Sequence, residues 1–319
     1  MNRFAVGAVA LAVAAGASLG AARADSITVA KAVAFAWTFI PLDVGLEAGI
    51  WKKHGFDEVK IVSFAGEAKV QQALLSKDIE YGLASGPGMA FNAKGGSGIG
   101  VAAFYGAPRN LAVAVPFDSK ITKIADLKGK KLGVTTAGSL TDWLTQRLSQ
   151  SQGWGTTGIT AVALGGLEPS LAGLKTGQVD GLAVATEVTY DLESKKQLKL
   201  LYNFADLVPN FHTHVIFARK DLVASNPDQV QRFVNAFFET VAYMRANKAK
   251  VMEVAGRVLH ESPELASRVY DEEMPGFSKD GQFDAKAVAL LGDSYLGMGL
   301  LDKKPADSEL FTTKFVPAK

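Results

Sequence analysis

At 319 residues, with 48% hydrophobic and 21% charged side chains, the chain can bury a large core, which excludes a disordered polypeptide. Its 34 basic and 32 acidic residues leave a formal net charge of +2 with no long run of one sign, so charge gives no case for nucleic acid or an anionic membrane surface. The absence of cysteine excludes disulfides, thiolate metal sites, thiol nucleophiles and a lipid-modified N-terminal cysteine.

Residues 1–24 read as a secretory signal peptide. Met1-Asn2-Arg3 is a short basic start, an Ala/Val/Leu-rich run follows to Leu19, and Ala22-Arg23-Ala24 is a small-residue exit that predicts cleavage before Asp25. The run is shorter than the ~20 apolar residues of a membrane span. Cleavage removes two basic residues and no acidic one, leaving a nearly neutral mature chain whose expected place is the periplasm, free of an anchor.

Short β-branched runs then alternate with helical periods, the pattern of parallel α/β units. Strands are predicted at Ile27–Val33, Val59–Ser63, Tyr81–Ala84 and Gly98–Phe104, with helices at Pro41–Lys53, Glu67–Ser76 and Pro87–Lys94 between them. The stretch Ile124–Val134, running into Ala137–Trp143, is a polar turn, a buried strand and a small-residue loop opening a helix, which offers free backbone N–H groups to a ligand. Strands follow at Thr160–Leu164 and Leu182–Ala185, and helices at Thr141–Gln150, Pro169–Thr176 and Val188–Lys195. Pro227–Asn247 carries an N-cap signal at Asn226 and apolar residues at helical spacing; the tail is read as a helix over Ala285–Met298 and irregular chain after it.

Gly106–Arg109 and Asn210–His214 are read as crossings between two lobes. They predict a first lobe from residues 25–108 and 215–319 with the C-terminal helices, and a second from 109–214. A weak internal echo supports one plan for both: Leu74-Leu75 then Ile79–Leu83 resembles Leu171, Leu174 then Val179–Leu182. Two such lobes face each other across a cleft lined by the C-terminal ends of strands.

Gly49–Phe56, Ala73–Leu75 with Ile79–Gly82, Ile124–Val134, Gly138-Ser139, Gly177–Asp180 and Ala218–Leu222 before Asn226-Pro227 together resemble the periplasmic substrate-binding proteins of ABC importers. The match covers nearly the whole mature chain and is similar to the NMT1/THI5-like branch that serves nitrate, sulfonate, taurine and thiamine-pyrimidine uptake. The resemblance implies an α/β, two-lobe periplasmic-binding-protein fold of type II, each lobe a mainly parallel sheet flanked by helices and joined by two hinge segments. It further implies a monomeric receptor that closes on a small solute and delivers it to a membrane permease with a cytoplasmic ATPase, and no cofactor.

The loops after strands supply the candidate contacts. Phe35, Trp37 and Phe39 follow the first strand and offer either apolar area to a ring or a staple onto the next helix. Gly66, Ser85 and Gly86 are small residues where backbone can approach a ligand, with Ser85 also a natural N-cap. Gly138, Ser139, Leu140 and Thr141 open a helix whose N-terminus favours an anionic group or is simply capped by its own hydroxyls. Thr186 and Glu187 end another strand, with Glu187 set to meet a ligand N–H or to satisfy a helix start. His212 and His214 are two apart, an incomplete metal set, and His212 is read as a hinge or ligand contact.

No phosphate loop, nucleophile elbow or defensible acid pair is present in the sequence, and Gly95–Gly100 reads as a turn. The reading is therefore a periplasmic receptor, not an enzyme, for a small organic anion or heterocycle: a sulfonate, carboxylate or pyrimidine-like compound. The alternative is a periplasmic enzyme, or a THI5-like pyrimidine-precursor enzyme, on the same scaffold.

Overall fold

In the computed structural model, which describes residues 25–297 and 299–319, the strands fall into two five-stranded sheets. The predicted signal peptide lies outside the described residues. The chain first lays down β1 (Asp25–Lys31), α1 (Pro41–Glu47), α2 (Ile50–Lys53), β2 (Phe56–Ser63), α3 (Glu67–Ser76), β3 (Tyr81–Ser85), α4 (Met89–Ala93) and β4 (Gly98–Tyr105). It crosses to β5 (Leu111–Pro116), β6 (Lys131–Val134), α5 (Leu140–Ser151), β7 (Thr160–Ala163), α6 (Leu167–Lys175), β8 (Gly181–Ala185), α7 (Thr186–Ser194) and β9 (Leu198–Asn203). It returns through β10 (His214–Arg219), α8 (Lys220–Ser225), α9 (Pro227–Ala246), α10 (Lys248–Leu259), α11 (Pro263–Glu273), α12 (Ala285–Gly297) and α13 (Asp307–Leu310).

The first sheet has the order β2-β1-β3-β10-β4 and the second β7-β6-β8-β5-β9. Both follow one plan. In each, three consecutive strands run parallel, and the strand that has just crossed from the other lobe inserts antiparallel beside the third. The sheets are thus mixed, because a chain arriving from the far lobe enters from the opposite end. The internal echo has a structural basis. After α3 the chain turns through left-handed Lys77 and Asp78 N–H donates to Ala73; after α6 it turns through left-handed Gly177 and Gln178 N–H donates to Gly173.

Strands buried on both faces read as continuous apolar runs, and β4 is buried along its whole length. The amphipathic α9 covers the first sheet from one side. Pro227 sits in its first turn, Asn226 Oδ1 accepts from Gln229 N–H, and its inner face seats Phe233 against Tyr81 and Trp51 with ring centroids 3.9 and 5.1 Å apart. The predicted helix over Pro41–Lys53 is two, because left-handed Gly49 breaks it. The tail read as irregular contains α13, and the segment read as a hinge ends with His214 already in β10.

Candidate functional site

The loops after β1, β2, β3, β6, β7 and β8 converge on a cleft between the two sheets, which the chain crosses at Asn110 and His214. The cleft holds about 710 Å³ of empty space counting solvent at its mouth, of which the centre of a water molecule reaches about 70 Å³. The lobes are closed on one another. A Cβ added to Gly66 would stand 2.6 Å from the Thr136 methyl across the cleft, and one on Gly138 would touch the Phe91 ring.

Of the predicted contacts, Phe35, Phe39, Gly66, Ser85, Ser139, Leu140 and Thr141 line this cleft. Phe35 reaches from the first lobe onto the apolar cluster of the second. The others stand elsewhere. Trp37 is fully buried in the first lobe, edge-on to Tyr270 and Phe277, because its side chain points away from the loop that carries it. Gly86 meets a different constraint: a Cβ there would lie 2.0 Å from the His212 carbonyl oxygen, so it serves close backbone packing. Gly138 packs against Phe91 outside the main cleft. His212 turns behind the hinge, where its Nε2 accepts from Asp284 N–H at 2.8 Å and burial pushes its pKa down to about 4; it shares no site with His214.

Thr186 and Glu187 form part of a seam between α7 and α11. Glu187 Oε1 accepts the Trp37 backbone N–H at 2.8 Å across the lobes, and the Thr186 hydroxyl donates to Glu273 Oε1 at 3.2 Å. The carboxyl groups of Glu187 and Glu273 are within hydrogen-bonding reach of each other, while Oε2 of each has no other partner. Two buried carboxylates in contact cannot both ionise cheaply. Burial holds Glu187 up at about 7, and burial and then the Glu187 charge hold Glu273 well above the carboxylate range. Nearby Glu261 is raised to about 8, again chiefly by burial. At the outer end of the seam Arg268 lies 3.5 Å over the Tyr190 ring, and Tyr190 and Arg268 both donate to Glu272.

Inside the cleft the electrostatics differ. Among the described residues no lysine or arginine lines it. Its acidic member, Glu67, is buried and carries three hydrogen bonds, from Gln71 Nε2 and from the Ser85 backbone and hydroxyl; burial raises its pKa against them. Two of the helix starts at the cleft bring their own acid: Glu67 opens α3 and receives the Ser85 N–H ahead of α4, and Asp142 in the first turn of α5 accepts the Gly138 N–H, whereas α6 starts at Gly166 with no side-chain cap. The positive ends of the α3 and α5 dipoles are therefore already matched. Ser139 caps α5 through Asp142 N–H at 3.4 Å and Thr141 Oγ1 accepts Thr135 N–H at 3.0 Å, so both hydroxyls work within the loop.

Asn110 and His214 also line the cleft, with Thr38 buried behind them. His214 Nε2 lies 3.1 Å from Thr38 Oγ1 and 3.2 Å from Asn110 Nδ2, joining both crossings to the loop after β1. Burial pushes the His214 pKa down to about 3, so the ring is neutral. Sequence carried one signal for this cluster, the placement of Asn110 and His214 at the ends of the crossings.

A family model described as NMT1/THI5 like matches residues 37–250. A protein of Brucella abortus (strain 2308), provisionally named a binding protein, is 24% identical, the alignment covering 92% of this chain and 94% of that one. Among solved structures, the alkanesulfonate-binding protein SsuA from Xanthomonas axonopodis pv. citri, bound to MOPS, superposes with a TM-score of 0.79 at 18% identity, covering 91% of this chain and 99% of the other. A Candida albicans gene product, described as having the generic periplasmic binding protein fold, gives 0.72 at 17% identity over 91% and 96%. At these identities the structural likeness establishes the fold.

Proposed function

Because the chain belongs to the NMT1/THI5-like family, we propose that it is a periplasmic receptor that closes its two lobes on a small solute and delivers it to an ABC permease driven by an ATPase. Relatives named as binding proteins support a binding role over catalysis. Within the solute classes suggested by sequence, the cleft favours an uncharged, pyrimidine-like ring over a sulfonate or carboxylate. One observation carries this choice: among the described residues no lysine or arginine lines the cleft, and the starts of α3 and α5 already face Glu67 and Asp142. An anion entering would lose its hydration without gaining a full opposite charge. A flat ring loses little and gains contact with Phe35, Phe39, Leu140 and the other apolar walls.

The test is a thermal-shift titration of the mature chain with pyrimidines, aliphatic and aromatic sulfonates, carboxylates and nitrate. A ligand that binds only the folded state adds ~2.7 kcal/mol at a hundredfold excess over its Kd. Shifts with rings alone are the expected result. Shifts confined to sulfonates would replace the neutral solute with an anion, and silence from every class would remove the receptor reading.

A further inference from the structure

We propose that Asn110 sets the specificity of the cleft, its Oδ1 accepting a hydrogen bond from a ring or amide N–H of the solute; this rests on the receptor reading above. Asn110 lines the cleft, is 1% exposed, and its Oδ1 has no partner among the described residues. A buried acceptor left unpaired is costly, so a native protein keeps one where water or a ligand completes it.

The orientation of the amide and the tautomer of His214 go together. The ring is neutral, and the Asn110 Nδ2 placed 3.2 Å from its Nε2 can only donate, so the single ring proton sits on Nδ1. Nε2 is then an acceptor. It takes the Thr38 hydroxyl and the Asn110 amide N–H, so Asn110 turns Nδ2 toward His214 and leaves Oδ1 for the solute. The Asn110 carbonyl meanwhile accepts the N–H of Thr186 at the start of α7, which fixes the residue to the second lobe while His214 belongs to the first sheet. The acceptor is thus held by both lobes at once.

This arrangement rejects as well as selects. A sulfonate or carboxylate presents acceptors only and would set oxygen against oxygen at Asn110, with Glu67 the one ionisable side chain on the cleft wall besides His214. A solute with an N–H at one edge meets no such conflict.

Isothermal titration of the mature chain with uracil, cytosine and 2-aminopyrimidine, each beside an analogue methylated on nitrogen so that no N–H remains, tests the assignment, with ethanesulfonate as the anionic probe. At least one parent ring should bind, its methylated analogue should bind roughly 10- to 100-fold more weakly, and Asn110→Leu should reduce that gap to about threefold or less. Equal binding of parent and methylated ring overturns the role of Asn110 while leaving a ring receptor standing. Binding of ethanesulfonate alone overturns it and leaves an anion receptor. If nothing binds, the receptor reading fails and takes this assignment with it. Should Asn110→Leu fail to fold, the parent and methylated rings compared on the unaltered chain decide the question.

Discussion

The cleft and the α7–α11 seam are both contacts between the same two lobes, yet they treat charge in opposite ways. In the cleft, acids are paired with backbone N–H groups at helix starts, and the walls are otherwise apolar or uncharged polar. In the seam, Glu187, Glu261 and Glu273 crowd together with four oxygens lacking a conventional donor. Glu67 in the cleft is held by three donors, whereas the seam acids lack them, so the seam is where stability is expected to depend most on protons.

The largest expected effect lies in the seam. Glu187 binds its proton up to about pH 7 when folded and only to about 4.5 otherwise, so the folded state holds more protons between those values. Its contribution is complete below pH 4.5 and is lost as pH rises through 7, on the order of 3 kcal/mol. Glu273 has the same sign, and Glu261 extends the loss to about pH 8. The groups facing them are the Trp37 backbone N–H, the Thr186 hydroxyl and the Tyr105 phenol, itself held up by burial and by these acids and opposed by Arg109. His212 and His214 act the other way: they support the fold fully above pH 6.5 and lose that support as pH falls toward 4 and 3. Between pH 6.5 and 8 the acids dominate, the two histidines opposing them weakly as the unfolded imidazoles give up their last protons. Urea unfolding in that window should show stability falling with pH in the parent chain, a smaller slope in Glu187→Gln, and a slope cut by more than half when Glu261→Gln and Glu273→Gln are added. Identical slopes would sink the proton-dependent seam.

Much of the fold was legible because its signals are local. Asn226-Pro227 and the apolar spacing after it set α9, and the Gly177 and Lys77 turns repeat one helix-to-strand junction in both lobes. Strands β5, β9 and β10 were not read, since their positions depend on the chain crossing from the far lobe and not on their own pattern. The cleft was half legible for the same reason. Being in a loop after a strand placed Phe35, Phe39 and Ser139 correctly near it, but Trp37 shares that loop and turns into the core. A single side-chain direction separates the two outcomes, and only packing against Tyr270 and Phe277 decides it. Glu187 was placed at a helix start; that its partner is Glu273, from a helix the sequence reading did not assign, is a tertiary fact.

A smaller effect probes the cleft. If Ser139 and Thr141 serve the loop, the double change Ser139→Ala with Thr141→Ala should cost ~1–2 kcal/mol of stability through lost capping. Ring affinity, measured by calorimetry, should fall less than threefold. A larger drop in affinity for an anion with stability intact would return the α5 N-terminus to the role of ligand anchor and make the cleft, too, a place where charge is read.

The smallest expected effect comes from the outer end of the seam. Arg268 is half-exposed, stacked on Tyr190 and bonded to Glu272 one turn along α11. An exposed ion pair and a cation over a ring each contribute about 0.5–1 kcal/mol at most. Arg268→Ala should therefore lower stability by about that amount, by the same amount at pH 6.5 and at pH 8, because Arg268 stays charged throughout. A pH slope altered as much as in Glu187→Gln would mean that the outer pair and the buried acids titrate as one unit, and that the boundary between a proton-sensitive interior and a merely adhesive rim is drawn in the wrong place.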